Sequence, residues 1–507
     1  MRQRFESEKE NHQFSALFQE NPHILNYGKS AHQFRSLAAH ASQSPGRNGL
    51  TQKSALLSKK VRLHDKIQKK RMKRRIFMKQ TITVFGQGYV GLPLSLSFAL
   101  NGCNVIGVDT DPKVYDQLSH GITYQTEKHQ NISIREILKE QLRQGTYRVI
   151  NDGAEAVRQT RTIIITVGIP INGETPFYDH FDAACRTVGE NIQAGSLVLI
   201  RSTVIPGTTE NRCKPILEQL SGLKVGQDIF LAYVPERIAE GKAFEEFETM
   251  PTLIGAADEE SRQKAAEIIR INSKAQIIFS DSMTAVETSK VIENLQRDAN
   301  IAISQELARF AEASGLNIFE VIKLANTHTR VNILTPGPGV GGYCIPNAFY
   351  YLKAKAQELD IELPLLEKAR KTNENLPKFI AEKTDALLRL RGKKLSGAKI
   401  AVAGLAMKDY SPDDRLSPAV EICKQLLSAG ALVSAYDSNV SNAYPFKTET
   451  LESAMEGADA LLILNRLYDG FDPTDKIQHM APNPVIVDTR NLIDPKKLPP
   501  EASFWKI

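Results

Sequence analysis

The stretch that most restricts the fold is Thr81 through Asp109. Thr81-Ile82-Thr83-Val84-Phe85 is an apolar, β-branched run of strand length, and Gly86-Gln87-Gly88-Tyr89-Val90-Gly91 follows it without a gap. A helix is expected from about Val90 to Asn101, stopped at Gly102. A second strand, Val105–Val108, then ends in Asp109. Glycines in the order G-x-G-x-x-G between a strand and a helix, with an acid closing the next strand, make a dinucleotide-binding βαβ unit. Gly86 forms the turn, Gly88 lets backbone approach a pyrophosphate, and Gly91 lets helix and strand pack closely. With Tyr89 and Val90 they put the pyrophosphate on the helix N-terminus, where unpaired N–H groups and the dipole favour an anion. Asp109 is placed for the ribose hydroxyls and repels a 2′-phosphate, which selects NAD over NADP.

The alternation continues. Thr162–Val167, Leu197–Arg201 and Ile229–Val234 read as buried strands and Phe181–Ile192 as a helix. The last strand delivers Pro235-Glu236-Arg237 to its carboxyl end, the side on which open parallel sheets bind ligands. Thr208 or Thr209, after Pro206-Gly207, is expected to cap a helix. Beyond the polar linker 391–397 a second α/β unit begins, with strands Lys399–Ala403, Leu432–Tyr436, Ala460–Leu464 and Val485–Asp488. It lacks the full glycine fingerprint, so no dinucleotide is assigned to it. Lys408 and Arg415 in its first loop are candidates to hold an anionic ligand. The expected fold is α/β: two Rossmann-like doubly wound parallel-sheet domains joined by a long central helix.

That helix is read from Met283 to Ala313, about thirty residues without Gly or Pro and some 45 Å long. Glu287, Lys290 and Asn294 share one polar strip of it. An ordinary ion pair on a solvated face accounts for the first two as well as a site does. Downstream, Thr335-Pro336-Gly337-Pro338-Gly339-Val340-Gly341-Gly342-Tyr343-Cys344-Ile345-Pro346 crowds glycine and proline around one cysteine. A stiff, open loop with free backbone N–H groups and a thiol at its exit is expected. The plainer reading is a surface loop beside a small buried residue. Helices of this length commonly build dimers, so a homodimer or higher homo-oligomer is expected.

Charge is unevenly distributed. Residues 1–77 hold 17 Lys/Arg against 5 Asp/Glu, whereas the remainder holds 47 against 53. The body is mildly acidic, which argues against a nucleic-acid enzyme. Two readings fit the extension: a solvated, mobile tail, or a helix over Ser58–Arg75 that binds an anionic surface. Met78 directly precedes the first strand as a second candidate start. Five cysteines stand far apart with neither zinc nor disulfide spacing, which implies no metal site, free thiols and a reducing, cytoplasmic location. No apolar run approaches the roughly 18 residues of a membrane span.

The fingerprint, Arg201-Ser202-Thr203 with Pro206-Gly207-Thr208-Thr209, Pro235-Glu236-Arg237, Glu287-x-x-Lys290-x-x-x-Asn294, Gly337–Cys344 and Lys408 through Arg415-Leu416-Ser417-Pro418 occur in one order. In that order they resemble the UDP-glucose/GDP-mannose dehydrogenase family over nearly all of residues 78–507. Arg297-Asp298-x-Asn300-Ile301-Ala302 and Arg330-Val331-Asn332-Ile333-Leu334 look most like its members acting on UDP-N-acetyl-D-mannosamine. Those acting on UDP-N-acetylglucosamine or UDP-glucose come next. The resemblance implies a basic extension (1–77), an NAD-binding domain (78–280), a helical dimerisation domain with the cysteine loop (281–390) and a UDP-sugar-binding domain (391–507). It further implies two successive oxidations of a UDP-sugar C6 alcohol to the uronate, for cell-surface polysaccharide. Cys344 would be the nucleophile, Lys290 and Asn294 would hold the oxyanion, and Glu236 would serve the hydrolytic water. Thr203 would contact cofactor, and Arg330, Gly341, Lys408 and Arg415 the substrate. Three positions depart from the family: Ile169 replaces a threonine, Tyr343 a histidine and Ala348 an aspartate. The losses at 169 and 348 leave a second reading open, a relative that binds nucleotide sugars with impaired turnover.

Overall fold

The structure is a computed structural model that describes residues 80–468 and 470–507. The basic extension and Met78 lie outside the described residues. Strands β1 (Thr81–Phe85), β2 (Asn104–Val108), β3 (Tyr147–Ile150), β4 (Thr162–Ile165), β5 (Leu197–Ile200), β6 (Phe230–Tyr233), β7 (Thr252–Gly255) and β8 (Ile277–Ser280) form one sheet. Their spatial order is β8-β7-β6-β5-β4-β1-β2-β3, parallel throughout except where β7 runs against β6. Residues alternate between the two faces. Ile82, Val84, Ile164 and Leu199 enter one apolar cluster, and Phe85, Ile163, Ile165 and Ile200 enter another. Burial on both faces is what continuous Val/Ile/Leu runs dictate in a parallel sheet.

Strands β9 (Lys399–Ala403), β10 (Leu432–Tyr436), β11 (Ala460–Ile463), β12 (Val485–Asp488) and β13 (Ser503–Lys506) make a second, wholly parallel sheet in the order β10-β9-β11-β12-β13. It repeats the alternation, with Ile400 and Val402 on one face and Ala401 and Ala403 on the other. Both sheets are doubly wound, as expected. Strands β3, β7, β8 and β13 were not anticipated. They are short, and β8 is largely exposed, so hydrophobic patterning barely marks it.

The central helix spans Met283–Ala313, and the Ser282 hydroxyl caps it by accepting from the Ala285 N–H at 3.0 Å. Met283, Val286, Val291 and Leu295 pack into the first domain's core, while Ala308 and Ala311 pack into the second's. Midway, the fully buried Arg370 guanidinium donates to Asp298 at 2.8 Å, and the Asn373 amide donates to the same carboxylate oxygen. The helix is thereby tied to helix Pro364–Glu374 midway between its contacts with the two cores. No helix among the described residues is long and apolar enough to cross a membrane.

Candidate active site

The fingerprint turn leaves β1 where the chain order reverses between β1 and β4, the crevice of a doubly wound sheet. Gly86 has φ +83° and donates its N–H to the Val108 carbonyl. A Cβ on Gly91 would lie 1.7 Å from the Gly86 carbonyl oxygen, so the turn closes only with glycine there. A Cβ on Gly88 would meet nothing within 4 Å. That open face, over the N-terminus of helix Gly91–Leu100, is a cradle fit for a pyrophosphate. The Asp109 carboxylate accepts from the Gln87 N–H at 2.8 Å and the Asp111 N–H at 3.0 Å. These bonds pin it at the end of β2 and leave lone pairs for ribose hydroxyls. Thr203 is half-buried on the loop after β5. Gln87 escaped the sequence reading. Its buried amide donates to the Val84 carbonyl and accepts from Ser95 and Tyr147, and a Cβ on Gly107 would strike it at 2.7 Å.

These contacts separate two glycine variants. Gly91→Ala is expected to destabilise the protein by roughly 3 kcal/mol, because overpacked backbone has nowhere to move. Gly88→Val should leave the melting temperature unchanged yet weaken NAD+ binding at least about tenfold. Differential scanning fluorimetry and cofactor titration check both.

On the central helix the polar strip is buried rather than solvated. Glu287 forms no ion pair with Lys290. Its carboxylate accepts from the backbone N–H groups of Gly207 and Thr209, at 2.5 and 2.8 Å, and burial pushes its pKa up. It thereby holds the start of the π-helical turn Thr209–Cys213, where the expected threonine caps do not form: Thr208 makes no side-chain cap bond. One turn on, Lys290 is 9% exposed, and burial holds its ammonium below the usual range. The Cys344 thiol and the Glu293 and Glu236 carboxylates act against that depression. Asn294 is 4% exposed, and its amide nitrogen has no hydrogen-bond partner among the described residues. A buried donor left unpaired is costly unless a ligand or water completes it.

Glu236 lies just beyond β6 and is partly buried. It ion-pairs with Arg201 and accepts from the Arg237 and Ile238 N–H groups. Cys344 is exposed and is the first residue of helix Cys344–Glu358, whereas the other four cysteines are buried. The loop before it differs from expectation. Its backbone is not free: the Gly342 N–H donates to the Arg415 carbonyl at 2.9 Å. A Cβ on Gly341 would meet the Leu416 carbonyl oxygen at 2.7 Å, and one on Gly342 would meet Met407 Sδ at 2.4 Å. These glycines serve close packing against the second domain.

Lys408 pairs with Glu240 of the first domain at 3.2 Å. The Arg415 guanidinium forks onto Asp413. Arg330 stands exposed after helix Ile318–Ala325, its guanidinium making no hydrogen bond or ion pair among the described residues. Ile169 and Ala348 are buried in one apolar cluster with Phe349 and Tyr351, and the Tyr351 hydroxyl donates to the Ile169 carbonyl.

The residues concerned are a thiol at the start of helix Cys344–Glu358, a desolvated lysine and an unpaired amide on the central helix, and a partly buried carboxylate beyond β6. Comparison with known proteins gives the family. Models of the UDP-glucose/GDP-mannose dehydrogenase family match over three regions: the NAD binding domain over residues 80–301, the central domain over 284–375 and the UDP binding domain over 401–495. The UDP-N-acetyl-D-mannosamine dehydrogenase of Pyrococcus horikoshii is 37% identical over 427 residues, covering 84% of this chain and 98% of that one. The enzyme of that name from Methanocaldococcus jannaschii is 34% identical over 421 residues, covering 82% and 92%. The solved UDP-D-ManNAc dehydrogenase of Pyrococcus horikoshii superposes with a TM-score of 0.77 at 35% identity, covering 84% and 99%. An NDP-N-acetyl-D-galactosaminuronic acid dehydrogenase from Methanosarcina mazei Go1 superposes at 0.71 with 29% identity, covering 86% and 96%. The chain belongs to the UDP-glucose/GDP-mannose dehydrogenase family and is an NAD-dependent nucleotide-sugar dehydrogenase.

Proposed function

We propose that this protein oxidises the C6 alcohol of a UDP-sugar to the carboxylate through a covalent adduct on Cys344. Its preferred substrate is UDP-N-acetyl-D-mannosamine, and its product a cytoplasmic precursor of cell-surface polysaccharide. The observation that carries the reading is the buried, unpaired Asn294 amide one turn along the central helix from the buried Lys290, with the Cys344 thiol exposed. The preference follows the most similar relatives, which carry that substrate in their names.

Bound at the Gly86–Gly91 turn, NAD+ supplies a hydride acceptor once for each oxidation. Lys290 and Asn294 hold the C6 oxygen as its proton leaves, so that negative charge develops against fixed donors in a water-poor site. The Cys344 sulfur then adds to the C6 aldehyde carbon, giving a thiohemiacetal. Its oxidation leaves a thioester, which water cleaves with Glu236 positioning it. One alcohol, one water and two NAD+ yield one carboxylate, two NADH and three protons. The diphosphate rests against Lys408, whose partner Glu240 must yield it. Arg330 and Gly341 complete the substrate side, and Thr203 the cofactor side. Ile292, Ile303 and Phe310 stand more than half exposed along the central helix, which supports a homodimer built there.

The impaired-binder reading draws on Ile169 and Ala348, which put apolar atoms beside the thiol. Purified protein incubated with NAD+ and a panel of UDP-sugars separates the two. Two NADH per sugar, fastest with UDP-N-acetyl-D-mannosamine, is the expected result. Binding without NADH across the panel would overturn it.

A further inference from the structure

Two tyrosines from separate parts of the chain meet over one guanidinium from a third. The Arg415 guanidinium carbon lies 4.1 Å from the ring centroid of Tyr89 and 5.0 Å from that of Tyr343. Tyr89 belongs to the fingerprint turn, Arg415 to the first loop of the second domain, and Tyr343 directly precedes Cys344. The charge of Arg415 is already taken by the buried Asp413, with Nε–Oδ1 at 2.9 Å and Nη2–Oδ2 at 2.5 Å. What it still offers is a flat face, which suits an aromatic ring.

The surrounding backbone is built to keep it there. The Arg415 carbonyl accepts from Gly342, so Arg415 grips the cysteine loop by main chain and side chain at adjacent residues. Tyr410 and Leu416 have φ of +58° and +49°, a conformation that side chains of this size adopt only where neighbouring contacts impose it. Both loops are therefore pinned at their junction, and Tyr89 joins the first domain's turn to them.

We propose that Tyr343 and Tyr89 are positioning residues that act through Arg415, and that their stack fixes where the Cys344 thiol stands relative to the cofactor turn. This rests on Cys344 being the reacting nucleophile, but the stack itself is tested without turnover. Cys344 is the exposed cysteine of the five, so iodoacetamide reports on it selectively.

Alkylation of Cys344 is followed by mass spectrometry in ligand-free protein for Tyr343→Phe, Tyr343→Leu, Tyr89→Leu and the double Leu variant. Circular dichroism confirms the fold of each. The phenylalanine variant keeps a ring and should alkylate within about twofold of the parent. Each single leucine variant should alter the rate at least about threefold. The double variant should change it no more than the larger single one, because a stack that acts as a unit is lost only once. With substrate, Tyr343→Leu should lower kcat about tenfold and leave KM for the UDP-sugar within about threefold. An unchanged alkylation rate in Tyr89→Leu, or additive effects in the double variant, would overturn the proposal. A parent protein that binds UDP-sugars without turning them over sinks the dehydrogenase reading instead, while the alkylation series still decides the stack.

Discussion

Lys290→Met is expected to cost about two to three orders of magnitude in kcat while raising the melting temperature of the ligand-free protein. Removing one preorganised oxyanion donor typically costs that much in rate. The stability gain has a separate cause. The ammonium sits in a pocket that penalises charge, and the Cys344 thiol and the Glu293 and Glu236 carboxylates only oppose that penalty. Methionine keeps length and bulk without the charge, and replacing buried charge by apolar atoms is often stabilising by about 1 kcal/mol or more. The pH dependence follows from the direction of the shift. The folded pKa of Lys290 lies below the unfolded one, so between the two the unfolded chain binds more protons. Stability is lost as pH falls through that interval, and below it the full cost is present. The advantage of Lys290→Met should therefore shrink as pH rises from 7 toward about 10, the unfolded lysine value. Thermal melts across that range, with NADH assays on the same samples, test both halves. A variant that melts below the parent at pH 7 would show that Lys290 is structural.

Much of this site was legible because its chemistry is written in local pattern. The fingerprint needs glycine at 86 and 91 for reasons set within a few residues, and the Met283–Ala313 helix is bounded by Ser282 and by the absence of breakers. The role of Glu287 stayed open in the sequence because its partners, Gly207 and Thr209, lie about eighty positions away and are backbone groups. The same two bonds explain why neither threonine caps: the acceptor arrives from another element. Strand β13 escaped because its anchor is tertiary, the Trp505 indole donating to Glu312 on the central helix at 2.7 Å.

The cysteine loop shows the same limit. Glycine at 341 and 342 was expected to expose backbone, yet Met407 and Leu416 fill that space. Composition announces that something approaches closely. Whether it is a ligand or another domain depends on packing over some seventy residues. Lys408 and Arg415 were likewise recognisable as basic groups near a ligand, but Glu240 and Asp413 decide how much of each charge is available.

Cys344→Ala should lower four-electron turnover at least about a thousandfold and hold NADH production to one per sugar, with the aldehyde as the accumulating product. The two oxidations depend on the thiol unequally. The first needs a hydride acceptor and donors for the C6 oxygen, all of which remain at the Gly86–Gly91 turn, Lys290 and Asn294. The second needs C6 to become tetrahedral again and carry a hydride to give up. The sulfur of Cys344, exposed at the first position of helix Cys344–Glu358, is the nucleophile available for that. Water can hydrate the aldehyde in its place, but the side chains of Ile169 and Ala348 are apolar and buried and offer it no polar group. Removing an essential nucleophile from an assembled site costs many orders of magnitude, because the remaining groups cannot act without it. Trapping the aldehyde with a hydroxylamine reagent and counting NADH per sugar measures the partition directly. If Cys344→Ala still released two NADH per sugar at near-parental rate, C6 would have to be oxidised as its hydrate. The carboxylate of Glu236, rather than the thiol, would then be the group on which the second oxidation turns.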